Sequence, residues 1–289
     1  MRPFRRPHPH SLRADAVVTG AGSGLGRAFA RELARRGGRV VCADRDEAGA
    51  AETVRLVRDL DGGEALAVTC DVTEPDRVRA LAATAGEFFG GPPTLVVNNA
   101  GIGAGGPVIG GPDDDLADWH ATHDVNFWGV VHGCHVFVPL LRAAGRGGVI
   151  NVASAAAFAA APRMGAYSTS KAAVLALSET LAAETAGSGV TVSVLCPTFV
   201  RTSILGSGRI DPATSALATR IMAATGRAPE TVVRRTLDAH DRGRLHVLPQ
   251  VEGRLTWAAK RALPGLYTHG TGLGARLATR MLDGPPGRR

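Results

Sequence analysis

Tyr167 and Lys171 stand four residues apart in the run Tyr167-Ser168-Thr169-Ser170-Lys171. On a helix this spacing stacks both side chains on one face. A phenol, with a pKa of about 10, is a poor base at neutral pH, and a nearby ammonium favours its ionised form. The pair therefore suits proton exchange with a substrate hydroxyl or carbonyl oxygen. Ser154, thirteen residues earlier, can hold the same oxygen. A tyrosine and a lysine at this spacing are by themselves ordinary packing and a solvated cation. A second feature gives them weight. Thr19-Gly20-Ala21-Gly22-Ser23-Gly24-Leu25-Gly26 follows the apolar stretch Ala16-Val17-Val18 and opens a segment of helical periodicity, Arg27 to Ala34. Strand, glycine turn and helix together place a phosphate-bearing ligand at a helix N-terminus, where unpaired N–H groups and the dipole favour anions.

The elements that must position these groups alternate regularly. Strands are expected at 39–44, 65–71, 94–98, 148–152 and 190–196 after the first near 16–18, with a short last one at 244–248. They are nearly continuous apolar runs, which predicts a parallel sheet covered on both faces. Helices are expected at 47–60, at 75–89 with Pro75 in the first turn, and as two long segments, 115–144 and 167–185. The predicted fold is α/β, a three-layer αβα Rossmann fold around a mostly seven-stranded parallel sheet. One domain is expected over 14–250, preceded by a basic flexible arm at 1–13 and followed by a C-terminal extension at 251–289. Residues 203–228 read as a substrate lid; their Ala, Leu, Ile and Met content suggests an apolar substrate. Asp44 ends the second strand, where a carboxylate can accept hydrogen bonds from an adenosine ribose and repel a 2′-phosphate, which favours NAD over NADP. Arg45 beside it could pair with that phosphate and pulls the other way.

With the glycine turn, Asp71-Val72, Asn98-Asn99-Ala100-Gly101, Asn126, Ser154, Tyr167, Lys171 and Pro197 with Thr202 in this order, the chain resembles the short-chain dehydrogenase/reductase family, classical type. The resemblance is strong over about residues 14 to 202. It implies hydride transfer between a nicotinamide and a secondary alcohol or ketone, with Tyr167 as general acid/base, Ser154 on the substrate oxygen and Lys171 also on the nicotinamide ribose. It implies that Asn126 kinks its helix and supports a proton path from Lys171. Along the cofactor it places Gly20, Ser23, Gly24, Leu25, Gly26, Asp71, Val72, Asn98, Ala100, Gly101, Pro197 and Thr202, beside Asp44, Arg45, Tyr167 and Lys171. It also implies a homodimer or homotetramer built through the two long helices. A cofactor-binding sensor or interaction protein on the same fold is the alternative. The complete Ser154, Tyr167 and Lys171 set argues against it.

Composition narrows the remaining classes. The formal charge of +7 is concentrated at the ends, in Arg2, Arg5, Arg6, Arg13, Arg288 and Arg289, and the body is nearly neutral. No basic face with interleaved aromatics points to nucleic acid. The N-terminal arm lacks the apolar core of a secretory signal, and there is no 18-residue apolar run. Cys42, Cys70, Cys134 and Cys196 are widely spaced and read as buried thiols in a reducing cytoplasm. His120 and His123, with Asp124 beside them, have ligand-compatible spacing, but no further ligands accompany them, so no metal is expected. Residues 254–263 mix basic and apolar side chains, which suits packing over the pocket or a neighbouring subunit, or contact with a membrane surface.

Overall fold

In the computed structural model, which describes residues 10–106, 108, 116–202, 204, 206, 210 and 212–283, the apolar runs become the strands of one sheet. These are β1 (Asp15–Thr19), β2 (Arg39–Asp44), β3 (Glu64–Thr69), β4 (Leu95–Asn98), β5 (Gly147–Val152), β6 (Val190–Leu195) and β7 (His246–Val247). All pairings are parallel, in the order β3-β2-β1-β4-β5-β6-β7. The order reverses direction between β1 and β4. Crossovers on either side of that point leave a crevice at the carboxyl ends of the strands, the usual ligand position in such sheets.

Helices cover both faces, as burial along the strands requires. The first four are α1 (Gly24–Arg35), α2 (Glu47–Arg58), α3 (Pro75–Phe89) and α4 (Ala117–His123). Then come α5 (Gly129–Ala143), α6 (Ala156–Ala159), α7 (Gly165–Glu184), α8 (Pro212–Thr225), α9 (Pro229–Asp241), α10 (Val251–Ala262) and α11 (Pro264–Asp283). Phe29 and Leu33 of α1, Val54 and Val57 of α2 and Val232, Val233 and Leu237 of α9 fill one layer of the core. Leu81 of α3, Phe137 and Leu141 of α5 and Val174 of α7 fill the other.

Three departures from the expected elements have local causes. The helix expected over 115–144 is interrupted by a π-helical turn, Asp124–Trp128, between α4 and α5; Asp115 lies outside the described residues. α9 stands where no element is expected, although its buried Val232, Val233, Thr236, Leu237 and His240 recur at helical spacing. The arm expected to be flexible through residue 13 is anchored from residue 10. Ser11 donates its N–H and hydroxyl to the Asp241 carboxylate at 2.9 and 2.5 Å, Arg36 donates to Ser11 Oγ, and His10 Nε2 lies 3.2 Å from Thr191 Oγ1.

The C-terminal extension packs against the body at its first helix. Trp257 of α10 meets Phe158 of α6 edge-on, with ring centroids 4.9 Å apart. Gln250, buried just before α10, accepts the Thr198 N–H at 3.1 Å and donates to the Phe199 carbonyl at 3.2 Å. Thr198 Oγ1 in turn donates to Glu252 at 2.9 Å.

Candidate active site

The glycine turn is shaped by contacts no other residue would permit. Gly20 has φ +65°, and a Cβ there would lie 2.7 Å from the Ala100 Cα. A Cβ on Gly26 would lie 2.0 Å from the Gly20 carbonyl oxygen. The turn thus folds tightly onto itself and onto Ala100, and Ser23, in extended conformation, opens α1 as its N-cap. Asn99 locks the turn from the β4 side, donating through Nδ2 to the carbonyls of Thr19 and Gly20 at 2.9 and 3.1 Å. Thr19 Oγ1 accepts the N–H groups of Asn99 and Ala100 at 3.0 and 3.1 Å. From the other side Arg27 donates to Thr53 Oγ1 at 2.9 Å and to the Gly22 and Gly49 carbonyls. None of Thr19, Arg27, Thr53 or Asn99 was among the expected contacts. Thr19 and Arg27 flank the turn in sequence and Asn99 lies in the motif after β4, each with the donors or acceptors an irregular backbone needs, whereas Thr53, on α2, is brought to it only by the fold.

Asp44 stands at the carboxyl end of β2 with its carboxylate held on both oxygens. Oδ2 accepts the Gly22 N–H at 2.7 Å and Oδ1 the Asp46 N–H at 3.0 Å. The negative charge is therefore fixed beside the turn, while Arg45 is exposed. Asp71 accepts the backbone N–H and hydroxyl of Thr73 on Oδ1. Val72 is buried, and its carbonyl takes His132 Nδ1–H at 2.8 Å. Asn98 is placed differently from the rest of the expected cofactor set. Its side chain is buried in the core, donating to Asn151 Oδ1 at 2.9 Å, close against Gly133.

The proposed reacting groups converge. β5 ends at Val152, and Ser154 follows it. Ser154 Oγ accepts the Ala156 N–H at 3.1 Å, which leaves its own proton for Tyr167, whose phenol it contacts. Lys171, one helical turn along α7, is 2% exposed; its Nζ donates to the Val152 carbonyl at 2.9 Å and lies 5.9 Å from the Tyr167 ring centroid. Asn126 reaches the same region because the π-helical turn sets it inward. Its amide pairs twice with the Ile102 backbone, at 2.8 and 3.0 Å, and donates to Ser170 Oγ at 3.3 Å. Gly101 is where these groups meet: a Cβ there would lie 3.1 Å from Asn126 Oδ1 and 3.3 Å from Lys171 Nζ.

Burial sets the electrostatics. It brings the Lys171 ammonium down to about 8 and pushes the Tyr167 phenol up, with the Ser154 hydrogen bond opposing the latter. Within the protein's own groups Lys171 therefore does not by itself deliver the ionised phenol expected from the spacing, because its amine is turned to the Val152 carbonyl. Cys196 beside Lys171 is pushed up to about 12 by burial, so at neutral pH it is a thiol and supplies no counter-charge.

Pro197 is buried and its carbonyl accepts the Ala155 N–H at 2.8 Å, which joins the segment after β6 to the Ser154 segment. Thr202 sits against the turn: a Cβ on Gly24 would lie 3.1 Å from its Cγ2. Between the turn and α8 opens a cleft of ≈ 660 Å³ lined by Gly24, Arg27, Arg201, Thr202 and Met222 among others. Its lining does not include Ser154, Tyr167 or Lys171, so it belongs to the turn's side of the crevice. Of the lid, Pro212–Thr225 is helical, and Ile210 and Thr214 rest on Gly105; residues 203, 205, 207–209 and 211 lie outside the described residues. His123 is not set up as a metal ligand: Nδ1 bonds the Trp119 carbonyl and Nε2 lies 3.2 Å from Thr169 Oγ1. Among the described residues no three His, Cys, Asp or Glu side chains cluster as a metal site would require.

A parallel αβα sheet with a glycine turn at its switch point and an acidic residue ending β2 defines a Rossmann-type, dinucleotide-binding protein. A model of the short chain dehydrogenase family matches residues 14–212, and the chain belongs to that family. Over 191 residues it is 39% identical to "Probable oxidoreductase EphD" of Mycobacterium tuberculosis, a match that covers 66% of this chain. That match covers 31% of the relative, so the chain spans about a third of its length. It is 40% identical over 198 residues to the 1-deoxy-11-beta-hydroxypentalenate dehydrogenase of Streptomyces avermitilis, covering 67% of this chain and 71% of the relative. The crystal structure of a short-chain dehydrogenase/reductase from Burkholderia phymatum in complex with NAD superposes with a TM-score of 0.79 at 36% identity, covering 86% of this chain and 92% of that one. A short-chain dehydrogenase from Sphingobium yanoikuyae in complex with NADPH gives 0.73 at 25% identity, covering 95% and 97%.

Proposed function

We propose that this chain is an NAD(P)-dependent dehydrogenase or reductase acting on a secondary alcohol or ketone. The observation that carries the reading is the convergence of Ser154 on Tyr167 and of Lys171 on the Tyr167 ring, with Lys171 also beside Gly101. The turn, the α1 N-terminus and the fixed Asp44 carboxylate fit a dinucleotide, which when bound supplies the hydride acceptor or donor. The protein's part is orientation and proton transfer. Ser154 fixes the substrate oxygen and Tyr167 gives or takes its proton. Lys171, which donates to the Val152 carbonyl, would hold the nicotinamide ribose, and the phenolate is favoured only with the positive nicotinamide of the bound cofactor added to it. Asn126 holds the Ile102 backbone next to Gly101 and donates to Ser170, the residue before Lys171.

NAD is the favoured cofactor because Asp44 holds a negative charge beside the turn, where the extra phosphate of NADP would meet it. The substrate is taken to be apolar on the composition of α8. A dimer or tetramer formed through α5 and α7, and a cytoplasmic setting, complete the reading.

Tyr167→Phe keeps the ring and removes the exchanging proton. Nicotinamide absorbance on a panel of secondary alcohols, hydroxysteroids and ketones should register a loss of turnover of about 10²–10⁴-fold, with cofactor affinity nearly unchanged. Lys171→Ala should damage both. Near-normal turnover of Tyr167→Phe on a substrate the parent accepts would refute the mechanism.

A further inference from the structure

We propose that α10 and the beginning of α11 form a docking surface for anionic lipid bilayers. α10 is two-sided. Trp257 packs on Phe158, and Gly253 is buried close against Thr198. On the opposite side Val251, Leu255, Ala258 and Ala262 recur at spacings of four, three and four, which aligns them on one exposed face. Leu263 and Leu266 extend this face around the turn into α11, and Leu255 and Leu266 are 65% and 71% exposed. Arg254 and Arg261 flank the stripe, both exposed, and Arg261 lies over the Trp257 ring at 4.9 Å.

Charge selects the occupant. The surface itself, residues 251–266, carries Arg254, Lys260 and Arg261 against Glu252. Glu252 is moreover engaged by Thr198. A second copy meeting this stripe across a two-fold axis would bring identical arginine rows together, whereas an anionic headgroup layer complements them. A helix with an apolar face and flanking cations lies in the bilayer interface rather than across it, and no described helix is long and apolar enough to span one. The surface is independent of the dehydrogenase reading, since none of its residues is placed in the reacting set.

The test is co-sedimentation of the full chain with vesicles of phosphatidylcholine alone and of equimolar phosphatidylcholine and phosphatidylglycerol, at roughly 0.1 M salt where charges still act over about 10 Å. The chain should pellet with the anionic vesicles and be released by high salt. Leu255→Gln with Leu266→Gln should weaken binding at least about 10-fold, since each leucine loses most of its transfer from water. Arg254→Gln with Arg261→Gln should weaken it on anionic vesicles while leaving the light-scattering mass unchanged. The leucines are exposed, so thermal unfolding of that variant should stay near the parent's. Arg254 also donates to the Leu248 carbonyl at 2.8 Å and Arg261 lies over Trp257, so the arginine variant is read at a temperature where its unfolding curve shows it folded. The salt dependence of the parent chain decides the matter without either. A chain that stays in the supernatant, or binds both vesicle types equally, overturns the proposal. So does a leucine variant of lower oligomer mass, which would assign the stripe to a subunit contact.

Discussion

At the scale of single residues, position 44 combines two jobs that a substitution can separate. The Asp44 carboxylate holds the turn through the Gly22 N–H and sets the charge that a cofactor would meet. Asp44→Asn keeps an oxygen for Gly22 and removes the charge. Hydrogen bonds to charged groups contribute about 1.5–3 kcal/mol, so the proposed preference for NAD over NADP in kcat/KM should contract by about 10–100-fold, chiefly through KM. Unchanged discrimination would move the preference elsewhere in the site. Much at this scale was legible from the chain alone. Ser154, Tyr167 and Lys171 are recognisable because their chemistry needs particular residue types at fixed spacing. The inward set of Asn126 was not legible from spacing, because a π-helical turn is stabilised by tertiary partners, here the Ile102 backbone, and leaves no periodic mark. Nor was the side-chain burial of Asn98, which depends on Gly133 leaving room beside it.

At the scale of elements, α10 is the unexpected part. The strands were readable because a strand buried on both faces must be a short apolar run, and β2 falls on the residues expected of it. The extension read only as mixed basic and apolar, since nothing local says which face of a helix will find a partner. The partner is α6, which begins two residues after Ser154, and the segment after β6 that leads to Thr202. α10 therefore braces the two segments that flank the proposed site. Gln250→Ala removes both bonds to Thr198 and Phe199, while Gln250→Glu keeps the acceptor for the Thr198 N–H. The alanine variant should raise KM for the cofactor several-fold and lower kcat less, and the glutamate variant should recover part of the KM. A Trp257→Ala variant should lower the melting temperature, with Trp257→Phe recovering most of it, since an aromatic pair adds about 0.5–1.5 kcal/mol beyond its buried area. Equal kinetic losses in both Gln250 variants would mean that the brace works only through stability.

For the whole molecule, the informative group is His240, fully buried on α9 between the sheet and the anchored N-terminal segment. Ser193 Oγ donates to the Arg244 carbonyl at 2.8 Å, so its contact with His240 Nδ1, also 2.8 Å, requires Nδ1 to carry the ring proton. Nε2 is then a buried acceptor without a hydrogen-bond partner, turned toward Gly148. Burial lowers this histidine to about 3, against 6.5 in an unfolded chain. Between those values the unfolded chain binds a proton that the native one refuses, so stability rises with pH across that window and is lost on acidification. Each pH unit below 6.5 should remove about 1.4 kcal/mol, or about 2 kcal/mol between pH 7 and 5. Urea unfolding at the two pH values should give a distinctly shallower loss for His240→Leu, even if that variant is less stable at pH 7. An identical pH dependence would mean that the imidazole accepts its proton in the fold.

The position of α10 in the chain also has a consequence for biosynthesis. A ribosome makes the glycine turn, Ser154, Tyr167, Lys171 and Thr202 before the strand and helix that brace their loops. Folding during synthesis proceeds from the N-terminus, so a nascent chain holds every proposed reacting group before the sheet edge at β7 and the clamp at Gln250 exist. A message cut short between those points is expected to yield a chemically complete but mechanically unfinished protein, inert toward substrate and recognisable to proteases by the apolar edge that β7, α9 and α10 would have closed.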